Sequence, residues 1–170
     1  DAGRTRAGMG VDAAAPDNDR VLAIAIGNFS HEPVSLFRQR QAEVFIDEAG
    51  SRDLAGPTLR PLTFGLLFAD LDLDGYDDLV LANGHIEPTV NAVQPEVTHA
   101  QRAQLFWNDG AGRFVEVGAR AGGPFDLPVV GRGLAAGDLD GDGDVDLVLT
   151  TNGGAAQVLR NDSPVGHALR

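Results

Sequence analysis

The sequence predicts an all-β chain of β-propeller blades, each a four-stranded antiparallel sheet, with about three blades present. Three observations carry that expectation. First, an aspartate-rich loop occurs twice, as Asp138-Leu139-Asp140-Gly141-Asp142-Gly143-Asp144-Val145-Asp146 and as Asp70-Leu71-Asp72-Leu73-Asp74-Gly75-Tyr76-Asp77-Asp78. Second, a short apolar strand follows each loop at once, Leu147-Val148-Leu149 and Leu79-Val80-Leu81. Third, Leu36-Phe37-Arg38 with Phe45 returns as Leu105-Phe106-Trp107 with Phe114, at the same internal spacing. A repeat of this size, made of short strands and turns, is the mark of a blade array.

The elements follow in order. Asp1–Gly10 is polar and aperiodic and reads as an extended or disordered lead-in. Val21–Ile26 is an unbroken apolar run ending at Gly27-Asn28, short and rich in β-branched residues, which suits a buried strand. Before it, Asp17 and Asp19 fall at the third and fifth positions of the loop pattern, but Ala15, Arg20 and Ala23 stand where Asp, Gly and Asp are needed. This is a decayed copy, expected to be empty, with Arg20 standing where a cation would sit. Asn108-Asp109-Gly110 lies between apolar segments and signals a hairpin turn. Val158-Leu159-Arg160-Asn161-Asp162 starts a third copy of that unit. Boundaries of approximately 11–60, 61–130 and 131–165 divide the repeats. Gly84–Arg102, with Pro88 and Pro95, reads as an insertion on one face of the second blade, where a binding surface could sit. His99–Gln104 has helical composition but is too short for a helix to be assigned.

Composition narrows the functions. A net charge of −12 with 43% hydrophobic residues and 22 glycines describes a globular, turn-rich, acidic chain and disfavours a nucleic-acid partner. No apolar run is long enough to span a membrane. With no cysteine, disulfides and thiolate zinc sites are excluded. No Gly-x-Ser-x-Gly, cysteine nucleophile or phosphate loop is present, so a non-enzymatic role is expected. His31-Glu32 lacks a second histidine, His85 reads as a turn-holding residue, and His99 and His167 carry no case for chemistry. Phe37, Phe45, Phe106, Trp107 and Phe114 are expected between blades as core.

The two full loops carry the chemistry. Side chains at positions 1, 3, 5 and 9 with glycine at 6 make an oxygen-only shell of the kind that wraps Ca²⁺. The expected ligands are Asp70, Asp72, Asp74, the Tyr76 carbonyl and Asp78 in one loop. In the other they are Asp138, Asp140, Asp142, the Asp144 carbonyl and Asp146. Two Ca²⁺ ions are expected, each pinning a hairpin.

With these residues in hand, the chain resembles the FG-GAP/VCBS-type repeat family, whose integrin-α-like propellers carry a calcium loop between the first two strands of a blade. Gly8-Met9-Gly10-Val11-Asp12, Asn28-Phe29-Ser30, Ala82-Asn83-Gly84-His85-Ile86, Gln104–Gly110 and Val158–Asp162 are similar to the subgroup related to cartilage acidic protein, whose repeats precede an ASPIC/UnbV domain. Gly166–Arg170 resembles the beginning of that domain. The resemblance implies a binding or adhesion scaffold for protein or glycan in a secreted, periplasmic or surface protein. The alternative it implies is an accessory propeller that binds a small molecule in an enzyme or natural-product complex. Open blade edges allow self-association.

Overall fold

The structure, a computed structural model, describes residues 5–162; the expectation for Gly166–Arg170 lies outside them. Strands β1 (Gly8–Ala14), β2 (Ala23–Asn28), β3 (Ser35–Gln41) and β4 (Val44–Asp47) form the first blade. Strands β5 (Thr63–Ala69), β6 (Asp78–Asn83), β7 (Gln104–Asn108) and β8 (Phe114–Glu116) form the second. Strands β9 (Gly131–Gly137), β10 (Asp146–Thr151) and β11 (Gln157–Leu159) form the third. Each sheet is a simple antiparallel meander in chain order, two of four strands and one of three among the described residues. The expected blades are therefore present. The first strand begins at Gly8, inside the stretch read as a lead-in.

The unbroken apolar character of the second strands has a direct cause. Blade 2 is sandwiched, so alternate side chains of β6 face different cores. Leu79 and Leu81 join Ala23, Ala25, Leu36, Leu54, Phe106 and Phe114 between blades 1 and 2. Val80 and Ala82 join Leu67, Ala103, Phe125, Leu147 and Leu149 between blades 2 and 3. All six residues of β6 are buried. The segments after the fourth strands also fill these seams, supplying Ala49 and Leu54 to the first and Phe125 to the second.

The blades approach through their first strands, β1 against β5 and β5 against β9. Glycine permits the contact. A Cβ on Gly10 would lie 2.3 Å from the Phe64 carbonyl oxygen, and one on Gly65 2.8 Å from the Arg132 carbonyl oxygen. Backbone cannot yield as a side-chain tip does, so these positions exclude any larger residue.

The expected interior aromatics divide. Phe106 and Phe114 are fully buried. Phe37 and Phe45 are half-buried, and Trp107 is 37% exposed, so Trp107 is not core. Its position on β7, beside the aspartate loop, gives its ring another task, described below. Among the described residues, helical structure is limited to α1 (Gly118–Ala121) and two 3₁₀ turns, Val90–Ala92 and Gly123–Phe125. In the insertion, the backbone N–H of His85 bonds the His99 carbonyl, and Gly84 bridges Ala100. The Gln101 side-chain oxygen accepts the Leu62 N–H, tying the insertion to the strand that opens the blade.

Gly65→Ala should destabilise the chain by about 2 kcal/mol, since forced overpacking costs about 1–3 kcal/mol. At this chain length that lowers the melting temperature by about 5 °C. Gly50→Ala meets no atom within 4 Å and should leave the transition within about 1 °C of wild type.

Candidate metal centre

Three loops occupy one place in the blade, the turn from first to second strand: residues 15–22, 70–77 and 138–145. In the second loop, Asp70, Asp72 and Asp74 each bring a carboxylate oxygen to within 4.8 Å of the others. Backbone N–H groups draw them inward. Asp70 accepts from Asp74 and Gly75, both at 3.0 Å, Asp72 from Asp74 at 3.3 Å, and Asp74 from Tyr76 at 2.9 Å. Gly75 at φ 93° makes the reversal, as does Gly143 at φ 100° in the third loop. Both are the sixth loop residue, where only glycine turns freely.

The third loop gathers Asp138, Asp140 and Asp146 in the same way. Asp138 accepts the Gly141 N–H at 2.7 Å and Asp140 the Asp142 N–H at 3.2 Å. Asp144 is 8% exposed, and its Oδ1 has no hydrogen-bond donor. Of the expected side-chain ligands, Asp78 and Asp142 stand outside these three-carboxylate groups.

Asp78 and Asp146, at the ninth position, do something the sequence reading did not anticipate. Asp78 accepts the N–H of Leu71 at 3.4 Å and of Asn108 at 2.8 Å. Asp146 accepts those of Leu139 and Asn161, both at 2.9 Å. Each clamps the start of its loop to the end of the third strand. The asparagines extend the tie across the seam. Asn108 Nδ2 donates to the Pro16 carbonyl at 3.0 Å, and Asn161 Nδ2 to the Leu71 carbonyl at 2.7 Å. Pro16 and Leu71 are the second residues of their loops, so each blade holds the loop of the blade before it. The signal was the repeated Asn-Asp at 108–109 and 161–162, read only as a turn.

Crowding shows in the carboxylates' acidity. Desolvation pushes Asp78 up to about 7, its two N–H partners offset this in part, and the Asp72 and Asp74 charges add to the rise. Asp144 is pushed up to about 6 by desolvation and by Asp142, Asp146 and Asp140. Asp74 and Asp77 are raised by desolvation and by Asp70, among others. An oxygen-only donor set in both loops and an unpartnered buried carboxylate oxygen in the third fit a hard cation.

The first loop is built differently. Arg52 forks onto Asp17, with Nη1–Oδ1 2.9 Å and Nη2–Oδ2 2.6 Å. Arg38 Nε lies 3.2 Å from Asp17 Oδ2, and its Nη2 pairs with Asp19. Arg52 also bonds Glu48 at 3.1 Å. The cation in this loop is thus supplied by Arg38 and Arg52, not by Arg20, which is exposed. Burial pushes the Asp17 carboxyl up, but the Arg52 hydrogen bond and the Arg52 and Arg38 charges outweigh it and hold it below the usual range.

His85 is buried against Phe29, with ring centroids 5.3 Å apart, and its Nδ1 accepts the Glu87 N–H at 3.0 Å. That is the turn-holding role expected of it. A groove of about 670 Å³ opens elsewhere, between blades 2 and 3, lined by Leu105, Trp107, Phe125, Leu147, Leu159 and Arg160 among others.

Two outcomes follow from these contacts. Arg52→Ala removes the fork on Asp17 and one of the partners of Glu48, leaving Arg38 and Arg40 beside them, and should cost about 3 kcal/mol, at the low end for breaking a buried ion pair. Chemical denaturation measures it, and added calcium should not restore the loss. In EDTA the raised carboxylates must ionise against their surroundings. For such acids the folded state is favoured below the unfolded pKa and loses ground as pH rises through the folded one. The melting temperature of the metal-free chain should therefore fall from pH 5 to pH 8, and saturating Ca²⁺ should remove most of that fall.

No curated protein matches the chain. A family model does: residues 93–163, running from the blade 2 insertion through the third aspartate loop and β11, match the FG-GAP-like repeat.

Proposed function

We propose that the chain is a non-enzymatic, calcium-stabilised propeller scaffold that presents loops to a protein or glycan ligand in a secreted, periplasmic or surface protein. The observation that carries the calcium part is the pair of loops, at one place in two successive blades, that each press three aspartate carboxylates together. Asp70, Asp72 and Asp74 would hold one ion and Asp138, Asp140 and Asp146 the other. The carbonyls of Tyr76 and Asp144 would add to each shell, with Asp78 and Asp142 nearby in the same loops. The bound cation would neutralise charges that otherwise repel and would lock the turn between the first two strands. Because it binds only the folded loop, it stabilises folding by mass action.

The ligand-facing part rests on the insertion. Its base is fixed by the bonds of His85 and Gln101, while Ile86 and Val93 are 56% and 83% exposed. Apolar side chains held outward on a fixed base suit contact with a macromolecule. One observation favours a second reading, an accessory propeller that binds a small molecule. The groove between blades 2 and 3 has the size and apolar aromatic lining of a ligand site.

The test is thermal unfolding in EDTA against excess Ca²⁺. At a hundredfold excess over the dissociation constant, one site contributes about 2.7 kcal/mol, so the midpoint should rise by about 5 °C or more. Asp72→Ala and Asp140→Ala should each remove about half of the rise. An unmoved midpoint with both variants silent would sink the calcium reading.

A further inference from the structure

One position of the third strand faces each loop. Arg38 pairs with Ala23, the ninth residue of the first loop pattern. Phe106 pairs with Leu79 and Leu159 with Leu147, each one residue beyond the ninth position. Trp107 and Arg160 therefore stand where Arg38 stands. All three reach the same target, the aspartate at the third loop position. Arg38 Nε lies 3.2 Å from Asp17 Oδ2. Trp107 Nε1 donates to Asp72 Oδ2 at 3.0 Å. Arg160 Nε lies 3.1 Å from Asp140 Oδ2.

The geometry is shared, but the charge is not. The indole orients Asp72 and leaves its full negative charge for a metal. A guanidinium at that place neutralises the aspartate and repels an incoming cation. In the first loop Arg52 adds a second guanidinium, and acids are missing at the first and ninth positions, Ala15 and Ala23. In the third loop Arg160 pairs with Asp140, is 62% exposed and is shared with Asp162. Among the described residues, no ion pair reaches Asp70, Asp72 or Asp74.

We propose that this third-strand residue sets the cation of each loop: a resident guanidinium at Arg38 in blade 1, tighter calcium beside Trp107 in blade 2, and weaker calcium beside Arg160 in blade 3. The proposal rests on the calcium reading and adds to it an order of affinities and the side chain responsible. Arg160 is a specificity-determining residue here, acting on the ion through Asp140. An exposed ion pair is weak, so its removal should change affinity by about fivefold and not by orders of magnitude.

The experiment is a calcium chloride titration of the whole chain by calorimetry, with the emission of Trp107, the only tryptophan, read in parallel. Wild type should bind in two steps, and the emission change should follow the tighter one because the indole bonds Asp72. Arg160→Gln should tighten the weaker step about fivefold and leave the emission step in place. Arg160→Lys, which keeps the charge, should leave the weaker step weak. Trp107→Arg should loosen the tighter step. Arg160 and Trp107 are not buried, so these variants should keep the wild-type circular dichroism spectrum. If both constants are unmoved in Arg160→Gln, or if emission follows the weaker step, the assignment falls while calcium binding stands. If wild type takes up no calcium at millimolar concentration, the calcium reading falls and this assignment with it.

Discussion

The close approach of β1, β5 and β9 is the constraint from which the rest of the arrangement follows. Where the first strands pass with backbone nearly touching backbone, as at Gly10 and Gly65, the sheets behind them must stack face to face. That stacking gives the middle blade two covered faces and buries β6 at every position, with an apolar run from Leu79 to Ala82. It also brings the turns between first and second strands to a common rim, where aspartates from successive blades become neighbours of the seams. The loops are thus part of the joints between blades as well as of the blades themselves.

At that rim the problem is electrostatic. Several carboxylates are held within a few ångströms by short turns, and the chain meets the repulsion in more than one way. Backbone N–H groups take up part of the charge in every loop. The ninth-position acids Asp78 and Asp146 are tied to the third strand, which makes them braces. In blade 1 the acids are fewer and two arginines balance them. The same backbone turn therefore accommodates quite different charge arrangements, because its shape is set by the strands on either side.

Much of the fold was legible because its signals are local and repeated. Val21–Ile26, Leu79–Leu81 and Leu147–Leu149 announced buried strands by composition, and the Leu-Phe and Asn-Asp elements marked the third strands and their turns. The aspartate spacing likewise located both loops and the decayed one. What escaped were the partners that the fold brings in from far along the chain. Arg52 reaches Asp17 from beyond β4, and Asn108 reaches Pro16 from the next blade. Arg20 was the nearest arginine in sequence, and proximity in sequence pointed to the wrong residue. Trp107 was misplaced because a large aromatic at strand spacing ordinarily packs inward, and here its indole N–H bonds an aspartate at the rim. That Asp78 and Asp146 also brace the third strand likewise needs coordinates, since every acid of the pattern is Asp.

The bonds from Asn108 and Asn161 to the loop of the preceding blade give the array a mechanical polarity. Asn108 is anchored to a loop closed by arginines, Asn161 to a loop closed by aspartates alone. The first seam is thus fastened entirely by covalently attached parts, whereas the second is fastened to a turn whose stiffness, on the calcium reading, varies with the surrounding solution. On that reading, depletion of divalent ions loosens the second seam and leaves the first as it was.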